Sequence, residues 1–167
     1  MSFDSDYLNE QWPALRARIM AELEAKGHVR DIISLPREGL EELYAQARAA
    51  YAVEDYFQAE NVFLGMTLYG PQDVRGWLGY GGACEAQQKW EQAALGYGMA
   101  MALTPGDPVA AYRSGVCLME LGKPWAARDA FEAAASTLDA MQGNPRKLPY
   151  AQRAASMLHM LDEKEKA

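Results

Sequence analysis

One interval organises this chain. Ala59, Ala93 and Ala127 lie 34 residues apart, and so do Phe63, Tyr97 and Phe131. Tyr44, Leu78 and Tyr112 keep the same interval, as do Ala47, Gly81 and Gly115, and Met66, Ala100 and Ala134. Pro71 and Pro105 punctuate it. Five columns of matched residue type make chance self-similarity in an Ala-rich helical bundle a poor account. Ala is abundant, β-branched residues are sparse, and no stretch alternates apolar with polar residues as a strand would, so the chain is expected to be all-helical.

A 34-residue period with small residues and aromatics in fixed columns is the tetratricopeptide signature, two antiparallel helices per unit. The units are expected at 40–73, 74–107 and 108–141. Gly81, Gly115, Ala59, Ala93 and Ala127 are small where the two helices of a unit cross. Phe63, Tyr97 and Phe131 are expected to fill the space between neighbouring units. Pro71 and Pro105 stop the second helices. Gly122-Lys123-Pro124 forms the inter-helix turn of the third unit, with Pro124 in the first turn of the next helix.

Helical segments flank the repeats. Leu8, Trp12, Leu15, Ile19 and Leu23 follow a 4-3-4-4 spacing and place one apolar stripe on a helix over roughly 6–26, which Gly27 ends. Val29 to Leu35 then leads to Pro36, a suitable first-turn residue. Gly143-Asn144-Pro145 breaks the chain, and a last helix near 149–165 carries Ala154, Met157, Leu158 and Leu161 on its apolar side. A solenoid needs such a cap on its exposed end. The expected whole is one domain, 1–167. It has an N-terminal helical region at 6–39, three repeats at 40–141 and a C-terminal helix within 145–165.

Composition narrows function. The 167 residues carry 16 Lys and Arg against 23 Asp and Glu, a net charge of −7. That balance disfavours nucleic acid and anionic membrane surfaces as partners. Hydrophobic residues make up 50% of the chain, enough to fold, but no run of them reaches the 18 or more that a membrane span needs. Met1-Ser2-Phe3-Asp4-Ser5-Asp6 lacks the basic, then apolar, order of a secretory signal. With two cysteines, Cys84 and Cys117, neither a disulfide scaffold nor a Cys-rich zinc module is possible, and a reducing cytoplasm is the expected compartment.

The residues of catalysis are missing as a pattern. His28 and His159 are far apart and have no ligand at metal spacing. Leu78-Gly79-Tyr80-Gly81-Gly82 is glycine-rich, but it falls inside a repeat helix and follows no strand, so it is no phosphate cradle. Those glycines serve close helix contact and room on the groove face. Glu41-Glu42 reads as a solvated helix face and Cys117 as a small buried hydrophobe. No enzyme activity, cofactor or metal is expected.

The first helices of the units line the groove of a solenoid. Counting from 40, 74 and 108, the fifth, ninth and twelfth positions share a stripe. These are Tyr44, Arg48 and Tyr51, then Leu78, Gly82 and Glu85, then Tyr112, Val116 and Met119. Aromatic anchors with an adaptable Met suit an apolar peptide with a few fixed side chains. The alternative is that stripe residues, Met119 above all, are covered by the N-terminal or C-terminal helix. A clamp for a chain-terminal carboxylate needs several converging cations, and Arg48 alone is positioned for one.

With these residues in place, the chain resembles the class II chaperones of bacterial type III secretion, small acidic cytoplasmic proteins that hold pore-forming translocators. The resemblance runs from about residue 15 to 163. It rests on Leu40-Glu41-Glu42-Leu43-Tyr44 with Tyr51, Trp77-Leu78-Gly79-Tyr80-Gly81, Tyr112-Arg113-Ser114-Gly115-Val116-Cys117, and Lys123-Pro124-Trp125-Ala126-Ala127-Arg128-Asp129-Ala130-Phe131-Glu132. It implies a groove that seats an extended N-proximal segment of a hydrophobic translocator, with small apolar and proline anchors in separate pockets. Tyr44 and Tyr51 fall on positions lining the first pockets, Leu78 and Tyr112 on further ones. Arg48 departs from the family, which tends to be aromatic there. The family also implies a homodimer through the N-terminal region, for which the stripe Leu8, Trp12, Leu15, Ile19 and Leu23 is suited; packing of that stripe on the chain's own repeats is the alternative. A general tetratricopeptide adaptor, joining folded partners, is the alternative.

Overall fold

In the computed structural model, residues 37–166 are described. They form seven helices: α1 Arg37–Ala52, α2 Tyr56–Tyr69, α3 Val74–Ala86, α4 Trp90–Leu103, α5 Pro108–Glu120, α6 Pro124–Ala135 and α7 Leu148–Lys166. No strand occurs among the described residues. The N-terminal stripe Leu8, Trp12, Leu15, Ile19 and Leu23 lies outside them.

The 34-residue interval extends to the chain's turns. Asp73 and Asp107 start α3 and α5, each carboxylate accepting from the backbone N–H two residues on, Arg75 and Val109, at 3.0 Å. Asp55 caps α2 by accepting from Gln58 N–H at 3.1 Å. These bonds satisfy donors that a helix start leaves open. The turn inside each unit is a Schellman motif. The N–H groups of Asp55, Lys89 and Lys123 donate to the carbonyls of Ala50, Cys84 and Leu118, five residues back, at 2.9–3.0 Å. The residue before each donor is left-handed: Glu54 at φ 63°, Gln88 at φ 58° and Gly122 at φ 66°. In the third turn alone a glycine meets that demand. The second helices end at Tyr69 and Leu103, two residues before Pro71 and Pro105.

Packing follows the columns. Ala47, Ala59, Ala93, Ala100, Ala127 and Ala134 are fully buried, so neighbouring helices meet at their backbones. Backbone closely faces backbone between α3 and α4, where a Cβ on Gly96 would stand 2.8 Å from Gly81 N and 3.0 Å from Trp77 O. The aromatic column packs between units, as expected, and within them as well; Tyr97 shares a core cluster with Cys117 of the next unit. Phe63 presses on Gly79 of the next unit, whereas Tyr97 and Phe131 press on Gly81 and Gly115 of their own units. Helix α7 packs on α6 and α5, burying Ala151, Ala154 and Leu161, and so covers the end of the repeat stack.

Candidate peptide-binding groove

Helices α1, α3 and α5, the first of each pair, surround a cavity of about 420 Å³. Its walls are Tyr44, Arg48 and Tyr51 from α1, Arg75, Leu78, Gly79 and Gly82 from α3, and Val109 and Arg113 from α5; Phe63, Tyr97 and Tyr150 close it. Five of the nine residues expected from sequence therefore share one space: Tyr44, Arg48, Tyr51, Leu78 and Gly82. A Cβ on Gly82 would sit 3.7 Å from the Tyr51 ring and from the Tyr97 hydroxyl, ordinary contact, so the missing side chain leaves open volume.

Glu85 is under the floor and not in the wall. It accepts from the buried Tyr97 hydroxyl at 2.5 Å and from Arg113 Nη1 at 2.7 Å. Burial, then the bond to Glu85, pushes the Tyr97 hydroxyl well above its ordinary pKa, so it stays a proton donor. Arg113 is thereby locked toward the cavity with its charge answered.

Arg75 is held more firmly still. Its Nη groups donate to both oxygens of Glu41 at 2.9 and 2.7 Å, and Nε and Nη2 donate to Asp73 at 3.0 and 2.7 Å. The same guanidinium lies 4.6 Å from the centre of the Tyr44 ring. Asp73 is held below the ordinary carboxylate range by these bonds from Arg75. Glu41, expected to be merely solvated, thus ties α1 to α3 through the residue one repeat later. The cavity accordingly holds three guanidiniums where the sequence pointed to Arg48 alone. Two of them are already paired.

Tyr112, Val116 and Met119 lie elsewhere. Tyr112 sits between Phe131 and Tyr150, with ring centres 5.9 and 5.8 Å away. Val116 and Met119 are half-buried against the core of the third unit, and Met119 shares a small recess with Met157, Met160 and Leu161 of α7. A single terminal helix has no partner of its own, so its apolar face is buried against α5 and α6 and takes this part of the stripe with it.

Sequence reasoning missed Arg75, Gly79 and Arg113, although a signal was present. Positions 75, 78, 79 and 82 are one helical face at i, i+3, i+4 and i+7, one turn earlier than the stripe chosen. Tyr150 gave no such signal, since it comes from α7. Among the described residues no group of three His, Cys, Asp or Glu side chains is placed to hold a metal ion, and no helix is long and apolar enough to cross a membrane.

No family profile matches the chain. Its fold does have solved counterparts. The type III secretion translocator chaperone SycD of Yersinia enterocolitica, in its alternative dimer, is 23% identical over 79% of this chain and 98% of its own, with a TM-score of 0.69. PcrH of Pseudomonas aeruginosa, in complex with the chaperone binding region of PopB, is 26% identical over 74% of this chain and 98% of its own, TM-score 0.67. A type III secretion complex from Aeromonas hydrophila matches over 90% of this chain and 98% of its own at 23% identity, TM-score 0.74. By its fold, this chain stands with the translocator chaperones of type III secretion.

Proposed function

We propose that this chain is a type III secretion translocator chaperone: it binds an extended segment of a hydrophobic, pore-forming translocator and keeps that protein soluble in the bacterial cytoplasm until secretion. The observation that carries the reading is the cavity framed by α1, α3 and α5. About 420 Å³ lies within the ~300–1,000 Å³ range of specific ligand sites, and rigid tyrosines form its walls. SycD in complex with a peptide of the translocator YopD, and PcrH in complex with the chaperone binding regions of PopD and PopB, support it.

The mechanism is mass action and no bond is made or broken. A client whose apolar segment is held in the groove is removed from the pool that aggregates or inserts into the producer's own membrane, in proportion to free chaperone over Kd. Tyr44 and Tyr51 are the anchors of the α1 wall. Leu78, with the bare backbone of Gly79 and Gly82, forms the opposite wall and lets a client main chain come close. Glu85 fixes Arg113 and Tyr97 so that the floor does not collapse into the empty volume. The free protein is a homodimer through Leu8, Trp12, Leu15, Ile19 and Leu23, and it has no enzymatic activity.

Coexpression tests the reading. A hydrophobic translocator from the same secretion system, insoluble alone, is expected to copurify in a soluble 1:1 or 2:1 complex. A translocator that stays insoluble beside folded chaperone overturns it, and a complex with an already soluble folded partner points instead to an adaptor.

A further inference from the structure

Among the described residues, the cavity contains one arginine charge with no carboxylate partner. Arg75 is taken up by Glu41 and Asp73, and Arg113 by Glu85. Arg48 has no carboxylate partner among the described residues; its guanidinium rests 5.8 Å from the centre of the Tyr44 ring and is otherwise exposed. It stands on α1 four residues after Tyr44 and three before Tyr51, so it lies on the same helix face as both tyrosines. A wholly apolar ligand pressed between those anchors would strip water from Arg48 and return nothing, which is costly. A basic ligand would be repelled. On a chain of net charge −7, this is a local site where an anion is favoured.

We propose that the segment held in this cavity carries an internal acidic side chain that pairs with Arg48, two residues from an apolar anchor. This rests on the chaperone reading of the groove. The spacing follows from geometry. Tyr44 and Arg48 are one turn apart, about 6 Å along the helix at 1.5 Å per residue. An extended strand advances about 6.6 Å in two residues and turns both side chains to the same face. An apolar residue beside Tyr44 therefore sets the residue two places along opposite Arg48. The carboxylate belongs to an internal Asp or Glu and not to a chain end. A terminal clamp needs converging free cations, and Arg75 and Arg113 have theirs bound.

The test is selection from a phage-displayed library of random linear peptides, fused so that no C-terminus is free, against wild type, Arg48→Gln, Arg48→Glu, Arg48→Lys and Tyr44→Ala. Thermal melts confirm folding of each variant; Arg48 is exposed, so all are expected to melt as wild type does. Wild type and Arg48→Lys are expected to enrich an Asp or Glu two places from an apolar residue. Arg48→Gln is expected to keep the apolar preference and lose the acidic one, and Arg48→Glu to favour Lys or Arg. Synthetic peptides from the wild-type pool, as C-terminal amides, are expected to bind Arg48→Gln roughly three- to ten-fold more weakly than wild type, the range between an exposed ion pair and a charged hydrogen bond. An apolar preference without an acidic one, an acidic one that survives Arg48→Gln, or binding that requires a free terminal carboxylate would overturn the inference and leave the groove standing. Enrichment that ignores Tyr44→Ala, or no enrichment at all, would overturn the groove reading and the inference with it.

Discussion

Two glycines in one helix should respond to the same substitution with opposite sign. Gly96 and Gly98 both lie inside α4. In a helix interior, Gly→Ala ordinarily stabilises by about 0.5–1 kcal/mol, because alanine has less chain entropy to lose. At Gly98 a Cβ meets nothing within 4 Å, so that gain should appear undiminished. At Gly96 it would stand 2.8 Å from Gly81 N, 2.9 Å from Gly81 Cα and 3.0 Å from Trp77 O. Those atoms are backbone and cannot swing aside. Carbon contacts settle near 3.5–4.0 Å, so α3 and α4 would have to part by roughly 0.5–1 Å. Overpacking of this kind costs about 1–3 kcal/mol, which exceeds the propensity gain and leaves a net loss of about 1–2 kcal/mol. At roughly 2–4 °C per kcal/mol for a chain of this length, Gly96→Ala should lower Tm by about 2–8 °C and Gly98→Ala should raise it by about 1–4 °C. Circular dichroism melts at one protein concentration read both, since association would otherwise shift Tm. If Gly96→Ala melts at or above Gly98→Ala, the close crossing of α3 on α4 is wrong.

Other expectations follow from the turns, the wall and the ion pairs. Tyr44→Ala or Tyr51→Ala should weaken binding of a translocator segment by roughly 1–3 kcal/mol by titration calorimetry with the melt unchanged; unaltered affinity would move the site. Gln88→Gly should raise urea-derived stability by about 0.5–1 kcal/mol, because Gln88 is left-handed at φ 58° where glycine carries no Cβ penalty; a loss would contradict the turn. Asp73 is held below its ordinary pKa by Arg75, so its ionisation favours folding above about pH 4, and that contribution is lost as pH falls through the lower native value. The urea midpoint should therefore drop more steeply between about pH 5 and 3 in wild type than in Asp73→Asn, and parallel profiles would refute the pairing. Cys84 and Cys117 are fully buried, and burial pushes their thiols up to about 11 and 12. Both should resist iodoacetamide at neutral pH until urea unfolds the chain; native-state labelling would show an opening the packing does not allow.

Much of the helical frame was legible because its causes are local. Pro71 and Pro105 end helices, Gly122 takes a left-handed φ, and Pro124 opens a helix, each for reasons contained within a few residues. Alanines recurring in register state where backbones meet. The groove was half legible for the same reason: Tyr44, Arg48 and Tyr51 lie on one face by helix geometry alone. Tyr112 and Met119 show the limit. Their column matches Tyr44 and Tyr51; the sequence offers both an open groove position and cover by a terminal helix, and only the packing of α7 on α5 and α6 decides between them.

The sequence by itself determined the period, the helix pairs and the residue types available to the groove, since propensity, capping and proline act over a turn or two. Tertiary structure alone decided which charges are spent. Arg75 and Glu41 are 34 residues apart and Arg113 and Glu85 are 28 apart, and only the stacking of one unit on the next brings each pair within 2.7 Å. That stacking, a property of distant side chains packing together, is why two arginines of the cavity are neutralised, while Arg48 has no carboxylate partner among the described residues.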